Sequence, residues 1–195
     1  MKSRNMMALL CVLVLTAAGA FGEQWLTPIN LGFGVPIAKV TTKDDFEFSE
    51  VAYAVNFGAT FINMTNGLTF RLNTDLGFGS GEANGTDSDT GFDFDLTAGV
   101  GYSFVRTTRF VCGATVAFGI GHFGCDVKTV SVSTNWLLLG GDMTALYRFN
   151  RNWGISGNIG IYKILPAMSA DIGGFESDID GRYRIVPRVS AVFTY

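Results

Sequence analysis

The chain has 195 residues, a hydrophobic fraction of 48% and a formal net charge of −3. It is long enough for one domain, and its acidic balance argues against a nucleic-acid partner. No run of about 20 apolar residues follows the N-terminal region, which excludes a helical membrane span there. The three cysteines show no metal-ligand spacing, so we expect neither a metal nor another cofactor.

Residues 1–22 have the features of a secretory signal peptide. Two basic residues open this segment, an apolar run follows over residues 6–20, and small residues precede a predicted cut after Gly22. The sequence therefore predicts an exported protein whose mature domain is residues 23–195. That domain keeps 12 basic and 17 acidic residues, a net charge of −5.

The mature chain alternates apolar and polar residues with a period of two, which is the pattern of strands with one apolar and one polar face. The run 92–104 shows this most clearly, since every second residue from Phe92 is apolar and the residues between are polar or glycine. This run is about twice the usual strand length of about 5–6 residues. Eight strands are predicted in chain order, at residues 24–37, 51–62, 68–78, 92–104, 110–120, 135–149, 153–161 and 182–195.

Two of these predicted strands are irregular. In the sixth, Trp136 falls on the polar face, so we expect a bulge at Gly140 and Gly141 that returns it to the apolar face. In the eighth, Pro187 removes one backbone donor, and we expect a local bulge there as well.

The connections between the predicted strands alternate in length. Turns of three to five residues are predicted at 63–67, 105–109 and 150–152. Loops of 12 to 19 residues are predicted at 39–50, 79–91, 121–134 and 163–181. Short turns on one side, long loops on the other and an even strand count are typical of outer-membrane barrels.

Aromatic residues concentrate at the two ends of the predicted strands, and the middles hold mostly Leu, Val, Ala and Ile. The ends near the short turns carry Trp25, Phe61, Phe70, Tyr102, Phe104, Phe110, Tyr147, Phe149, Trp153, Phe193 and Tyr195. The opposite ends carry Phe33, Tyr53, Phe78, Phe92, Phe94, Phe118, Trp136 and Tyr183. Two aromatic girdles around an apolar band are typical of a sheet that crosses a bilayer. In hydrocarbon every backbone amide must be paired, so the sheet must close. We therefore predict an all-β fold, an eight-stranded antiparallel up-and-down transmembrane β-barrel.

These features resemble the small eight-stranded outer-membrane barrels of diderm bacteria, the group that contains the OmpA transmembrane domain, OmpX, OmpW and the opacity-like surface proteins. The resemblance covers residues 23–195. Its most specific element is the alternation of Val189, Ala191, Phe193 and Tyr195 up to a terminal aromatic. That alternation is similar to the signal by which the barrel-assembly machinery recognises such proteins, although family members usually end in Phe.

The resemblance implies a monomer in the bacterial outer membrane, surrounded by outer-membrane lipid and inserted by the barrel-assembly machinery. It also implies external loops that are available to a host or extracellular ligand. It does not choose among the functions of the family, because strands of this type are patterned by the membrane.

The inward-facing positions of the predicted strands carry charges of both signs. They are Arg71, Asp75, Asp93, Asp95, Asp142, Arg148, Arg184 and Arg188. Charges inside a narrow barrel are costly unless they are paired. The leading interpretation is an interior charge cluster that plugs a structural or surface-interaction protein. The alternative is a gate in a narrow pore for small polar or amphipathic solutes. The interior glycines leave room for such a pore, and they are equally compatible with coiling of the strands.

Enzymatic function has little support in the sequence. His122 is the only histidine, and we place it on the outer face near the external rim. Outer-membrane lipid A deacylases carry His-x-Ser on such a strand, whereas Gly124 stands at the serine position here. We predict no enzyme, and a lipid-modifying enzyme is the least favoured alternative.

Three further expectations concern the surface and the cysteines. The acidic loops lack a calcium-binding spacing and are expected to be solvated. Cys112 and Cys125 are expected to be too far apart for a disulfide. A soluble barrel of lipocalin type is the alternative from another class, and it would place the apolar face inside.

Overall fold

Eight long antiparallel strands pair into a closed ring within the residues that the computed structural model describes. Those residues are 25–41, 47–83, 85–127, 130–165, 169–172, 175–178 and 182–194. Each strand pairs with its neighbours in sequence, and the first pairs with the last. The predicted eight-stranded antiparallel barrel is confirmed. No helix in the described residues has the length and apolar character needed to cross a membrane.

Every strand but the last extends beyond its predicted bounds. Strand β1 consists of the three segments Trp25–Leu26, Pro28–Gly34 and Ile37–Thr41. The other strands are β2 (Glu47–Asn63), β3 (Leu68–Ala83), β4 (Gly91–Arg106), β5 (Phe110–Val127), β6 (Val130–Arg148), β7 (Trp153–Leu165) and β8 (Tyr183–Thr194). The short segment Thr86–Asp87 pairs with β3, and the hairpin of Ser169–Ile172 and Phe175–Asp178 pairs with β6. The predicted signal peptide, residues 1–22, lies outside the described residues.

The short turns lie at one end of the ring. In the turn after β2, the Asn63 side-chain oxygen accepts the backbone N–H groups of Thr65 and Asn66, each at 3.0 Å. Gly67 has a φ of 85°, the left-handed conformation that favours glycine. The predicted turn at 63–67 therefore forms the first of the short hairpin turns.

The predicted loop at 121–134 is wrong, because most of it is strand. β5 and β6 stay paired from His122 opposite Asn135 up to Val127 opposite Val130. Along this stretch the apolar residues move to the inner face, where Phe123, a neighbour of His122, is fully buried. The pattern of outward apolar residues therefore ends before the two strands do.

The barrel has two zones that differ in which face is apolar. In the transmembrane zone, exposed apolar side chains cover the outer wall, among them Leu31, Val55, Phe70, Val100, Val116, Met143, Ile155 and Val189. In the upper zone, formed by the strand ends opposite the short turns, the outer wall is polar, with Lys39, Glu47, Ser49, Ser80, Glu82, His122, Asp126, Ser131, Asn135 and Lys163. The outer face is thus apolar in only one of the two zones.

Apolar side chains fill the interior at both ends of the barrel. The upper cluster consists of Ala38, Val40, Phe48, Ala117, Phe123, Cys125, Val132, Trp136, Leu138, Tyr162, Ile164 and Val186. The floor cluster, next to the short turns, consists of Leu26, Ile62, Val111, Leu146 and Val192, with Met64 packed against it. Polar and charged side chains occupy the interior between these two clusters.

The bulge expected at Gly140 and Gly141 is wrong. Both glycines keep regular pairing with β5 and with β7. Trp136 therefore stays on the inner face, where it is 0% exposed and belongs to the upper cluster rather than to the outer aromatic girdle. The prediction assumed that the outer face is still the apolar one at Trp136. In the structure Trp136 lies in the upper zone, where the apolar face is the inner one.

The bulge expected at Pro187 is also wrong. Pro187 pairs in register with Ile159 of β7, and the Val35 N–H donates to its carbonyl oxygen at 3.0 Å. β8 keeps one register with β1 on both sides of the break between Gly34 and Ile37. The backbone N–H group that Pro187 lacks is therefore located opposite the break in β1.

The register shift that does occur lies in β4. Against β5, the pairing changes between Ser103 and Val105, so Phe104 is the extra residue. This shift lies next to the short turn, within the predicted strand 92–104.

Candidate functional site

The upper half of the interior charge network is built around Arg184. Its Nη2 donates to the Asp93 carboxylate at 2.6 and 2.7 Å, and its Nε donates to Asp95 Oδ2 at 2.6 Å. Nη1 reaches both Glu50 oxygens at 3.3 and 3.4 Å. All four side chains are buried, and they come from β8, β4 and β2. One guanidinium thus joins the last strand to β2 and β4 through the lumen.

Trp136 covers this group from the side of β6. Its indole Nε1 donates to Asp95 Oδ1 at 3.3 Å, and the Arg184 Cζ lies 4.9 Å from the ring centroid. Gly121 of β5 provides the necessary space, since a Cβ there would collide with the indole and with Asp95. Only glycine therefore permits this packing at position 121.

The lower half of the network is built around Arg188. Its Nε and Nη2 donate to the Asp75 carboxylate at 3.0 and 2.6 Å. Its Nη1 donates to Asp142 Oδ1 at 3.2 Å and to Asn158 Oδ1 at 2.7 Å. The Tyr162 hydroxyl donates to the same Asp142 oxygen at 2.8 Å. Charge-assisted bonds of this kind are stronger than neutral ones, so Arg188 fixes β3, β6 and β7 to β8.

Amide side chains continue the lower half toward the first strands. Asn30 Nδ2 donates to Asn56 Oδ1 at 2.7 Å, and Asn56 Nδ2 donates to Asp75 Oδ1 at 3.0 Å. All three side chains are buried. The Asp75 carboxylate is therefore held by a guanidinium on one side and an amide on the other.

Arg71 lies below this network and is bound differently. Its Nη1 donates to the Thr144 hydroxyl. The Asn73 amide, turned so that its oxygen faces Arg71, accepts from Nε at 2.6 Å. Among the described residues, no carboxylate forms a salt bridge with Arg71. It borders a cavity of about 30 Å³ that Thr115 also lines, and such a volume accommodates water.

Arg148 does not join the network, and its predicted place in the cluster is wrong. Its Nη1 donates to the Thr108 carbonyl at 3.2 Å, and its Nη2 donates to the Arg151 carbonyl at 2.6 Å. β6 ends at this residue, so its side chain turns toward the carbonyl oxygens of the neighbouring turns instead of the lumen.

Five carboxylates and three guanidinium groups lie in the interior between the two apolar clusters. Sequence reasoning missed Glu50, because the predicted second strand started one residue too late. Ala52 and Ala54 lie on the inner face of this strand, and Glu50 is the preceding position on the same face. The neutral partners Asn56, Asn158 and Tyr162 carry no charge signal in the sequence, and only the folded register brings them to the carboxylates and to Arg188.

A buried network of this kind depends on all of its members. Removing one member of a buried ion pair leaves an uncompensated charge, which is strongly destabilising, while a complete set is tolerated. Because the guanidinium groups of Arg184 and Arg188 each reach several strands, the network also links strands that are not neighbours. The arrangement contains no obvious acid–base pair with access to a substrate.

The other predicted residues lie away from this network. His122 is half-buried on the outer wall, with its Nδ1 2.9 Å from Asn135 Oδ1. Cys112 and Cys125 are both free thiols. Val189, Ala191 and Phe193 of the predicted assembly signal face outward, and Tyr195 lies outside the described residues.

Comparisons with known proteins agree with this architecture. A family model described as "Domain of unknown function (DUF2715)" matches residues 22–173. The chain is similar in structure to the outer membrane protein OprG from Pseudomonas aeruginosa, with 11% identity, a TM-score of 0.63, and coverage of 87% of this chain and 95% of that chain. It is also similar to Neisserial surface protein A, with 11% identity, a TM-score of 0.52, and coverage of 88% and 96%. No curated protein matches the chain in sequence. The fold is that of the small outer-membrane β-barrels.

Proposed function

The chain belongs to the family described as a domain of unknown function, DUF2715, and we propose that it is an integral bacterial outer-membrane barrel with a sealed interior. Its role in this proposal is structural or surface-interacting. The upper zone and the loops beyond it form the part that meets an extracellular ligand. Outer-membrane lipid surrounds the transmembrane zone, and the barrel functions as a monomer.

The observation that carries the proposal is the layered interior. The floor cluster, the Arg188 group, the Arg184 group and the upper cluster follow one another along the lumen. A solute would have to displace apolar side chains at both ends and break buried ion pairs between them. Eight strands leave an interior just wide enough for side chains, so this filling supports a plug.

Conductance of the refolded protein in planar bilayers tests the proposal. We expect no single-channel steps from the wild-type barrel. The double substitution Arg184→Ala and Arg188→Ala removes both side chains that span the lumen and is expected to produce steps or noisy leakage. Arg182→Ala, two residues from Arg184 but on the exposed rim, is the matched control and should remain silent. Steady steps from the wild-type barrel would contradict the seal.

A narrow pore for small polar or amphipathic solutes is the second candidate. The observation in its favour is the cavity beside Arg71, which shows that the lower interior is not completely filled. A pore of this kind predicts wild-type conductance that Arg71→Met reduces. The same bilayer recordings therefore distinguish the two candidates.

We assign no catalytic role to His122, and the barrel is not an enzyme in this proposal. The imidazole faces outward and is held by Asn135. A lipid-modifying activity predicts that His122→Ala changes the lipid A composition of cells that express the protein. We expect that composition to be the same with the variant and with the wild type.

Export and assembly complete the proposal. Cleavage after Gly22 predicts a mature protein that begins at Glu23, which N-terminal sequencing of the membrane-extracted protein can measure. Deletion of Tyr195 is expected to lower the amount of barrel inserted in cells while refolding of the purified protein stays unchanged. Such a difference would separate recognition by the barrel-assembly machinery from intrinsic stability.

A further inference from the structure

The three short turns of the barrel carry basic residues and no acidic ones. The segments 60–70, 101–114 and 143–156, which form the three turns and the adjoining strand ends, contain no Asp or Glu. The same segments contain four arginines: Arg106, Arg109, Arg148 and Arg151. The charge on these three turns is therefore of one sign, whereas the opposite rim also carries the acidic side chains of Glu47, Glu82 and Asp126.

The second and third turns form one cradle. The backbone N–H of Arg148 donates to the Arg109 carbonyl at 2.7 Å, and the Arg148 guanidinium bonds to the carbonyls of Thr108 and Arg151. One arginine is thus used to clamp the two turns together. Thr108, Arg109, Arg148, Phe149, Asn150 and Arg151 line the resulting hollow, which has a volume of about 310 Å³.

Two arginine side chains of the cradle are exposed. Arg109 and Arg151 both face solvent, and within the described residues neither has a carboxylate partner. The Nε of Arg148 is buried without a hydrogen-bond partner at the back of the same hollow. Three guanidinium groups therefore surround one open space, and no Asp or Glu is among the described residues that line it.

An aromatic belt fixes the depth of this cradle relative to a bilayer. Tyr147, Phe149 and Trp153 flank the two turns and are 44%, 60% and 53% exposed on the outer wall. Aromatic side chains of this kind lie at the headgroup level of a bilayer. Arginines immediately beyond them lie at the depth of lipid phosphates, which guanidinium groups bind through paired N–H donors.

From this geometry we infer that the cradle of Arg109, Arg148 and Arg151 binds the phosphate headgroup of an anionic phospholipid in the leaflet facing the short turns. The inference rests on the proposed membrane location of the barrel. A lipid fits better than an acidic protein, because the basic groups lie beside the aromatic wall. Basic clusters next to a membrane attract anionic lipid by about 1 kcal/mol per residue.

Quenching of tryptophan fluorescence by brominated lipid tests the inference, with Trp153 as the reporter beside the cradle. All variants carry Trp25→Phe, so that the buried Trp136 is the only other tryptophan of the mature chain. The full-length mature protein is refolded into phosphatidylcholine vesicles that contain either brominated phosphatidylglycerol or brominated phosphatidylcholine. We expect phosphatidylglycerol to be preferred roughly thirtyfold by the wild type, given two exposed arginines. The double variant Arg109→Gln and Arg151→Gln should reduce this preference to about twofold or less.

Three controls make the result decisive. Arg182→Gln removes the same charge at the opposite rim and should keep the wild-type preference. Inorganic phosphate should not relieve the quenching; relief by phosphate alone would overturn the assignment to lipid. Equal quenching by both lipids, or a preference that survives in the double variant, would also overturn it.

Insertion is measured separately by the heat-dependent gel migration of folded barrels. Vesicle-refolded wild type that shows the folded band without lipid preference contradicts only the lipid inference. Absence of the folded band contradicts the membrane barrel itself, and the lipid inference with it.

Discussion

The transmembrane zone and the upper zone are formed by the same strands with the same alternation of residues. The outer wall is apolar in the transmembrane zone, whereas in the upper zone the apolar side chains face the interior. In the transmembrane zone Val116 of β5 faces outward and is 66% exposed, whereas in the upper zone Phe123 of the same strand faces inward and is 0% exposed. Seven residues separate them, so the odd spacing moves the apolar side chain to the other face. The apolar face follows the environment: outward toward hydrocarbon, inward where water surrounds the wall.

The upper half of the ion network, around Arg184, lies where the two zones meet. Polar and charged side chains fill the middle of the lumen, between the apolar floor cluster and the apolar upper cluster. The upper cluster begins at Trp136, which touches Arg184 on one side and apolar neighbours on the other. At this boundary the filling of the interior changes from charged and polar side chains to apolar side chains.

The largest expected effect comes from breaking this boundary with Arg184→Ala. The substitution leaves Glu50, Asp93 and Asp95 buried around an uncompensated gap, and we expect a loss of about 3–5 kcal/mol in the free energy of unfolding. Arg182→Ala removes an exposed salt bridge to Glu47 and should cost less than about 1 kcal/mol. Urea unfolding followed by tryptophan fluorescence measures both, and equal losses would contradict the role of the boundary.

Phe123→Ala tests the inward apolar face of the upper zone. Removing this fully buried ring should cost about 3–4 kcal/mol through lost burial and a cavity. Phe118→Ala, on the same strand but on the outward face, is the matched comparison and should cost clearly less, since lipid fills the space. Equal losses of unfolding free energy in the two variants would contradict a difference between the zones.

Val116→Arg tests the outward apolar face of the transmembrane zone. A guanidinium near the middle of the bilayer should destabilise the barrel by about 2–4 kcal/mol. Ser133→Arg, on the outer wall of the upper zone, should change stability by less than about 0.5 kcal/mol, because that wall faces water. Comparable unfolding free energies for these variants in lipid vesicles would refute the division into zones.

The smallest predicted effect concerns the space for Trp136. Gly121→Ala places a methyl group against the indole and Asp95, and the resulting displacement should cost about 1–3 kcal/mol. Gly157→Ala meets no atom within 4 Å and should be nearly neutral. A shift of the tryptophan emission in the first variant but not in the second would show the local rearrangement.

Much of the fold could be predicted because a bilayer imposes a simple rule: each strand that crosses it has an apolar outer face. The outward face of 92–104 matched the observed one over its full length, and Asp93 and Asp95 were placed inside. The rule fails beyond the membrane, which is why the loop at 121–134 and the position of Trp136 were wrong. Arg148 shows a different limit, since the phase of a strand does not fix the direction of a long side chain at the strand end.

The sequence alone determined the number of strands, their order and which face of each meets lipid, because these follow from the period of two and from the lengths of the connections. Tertiary structure alone decided which charges meet. Arg184 reaches Asp93 and Asp95, and Arg188 reaches Asp75, because the relative heights of distant strands depend on the closed ring. Local pattern carries no information on those heights, since every strand would keep its two faces in any register shifted by two residues.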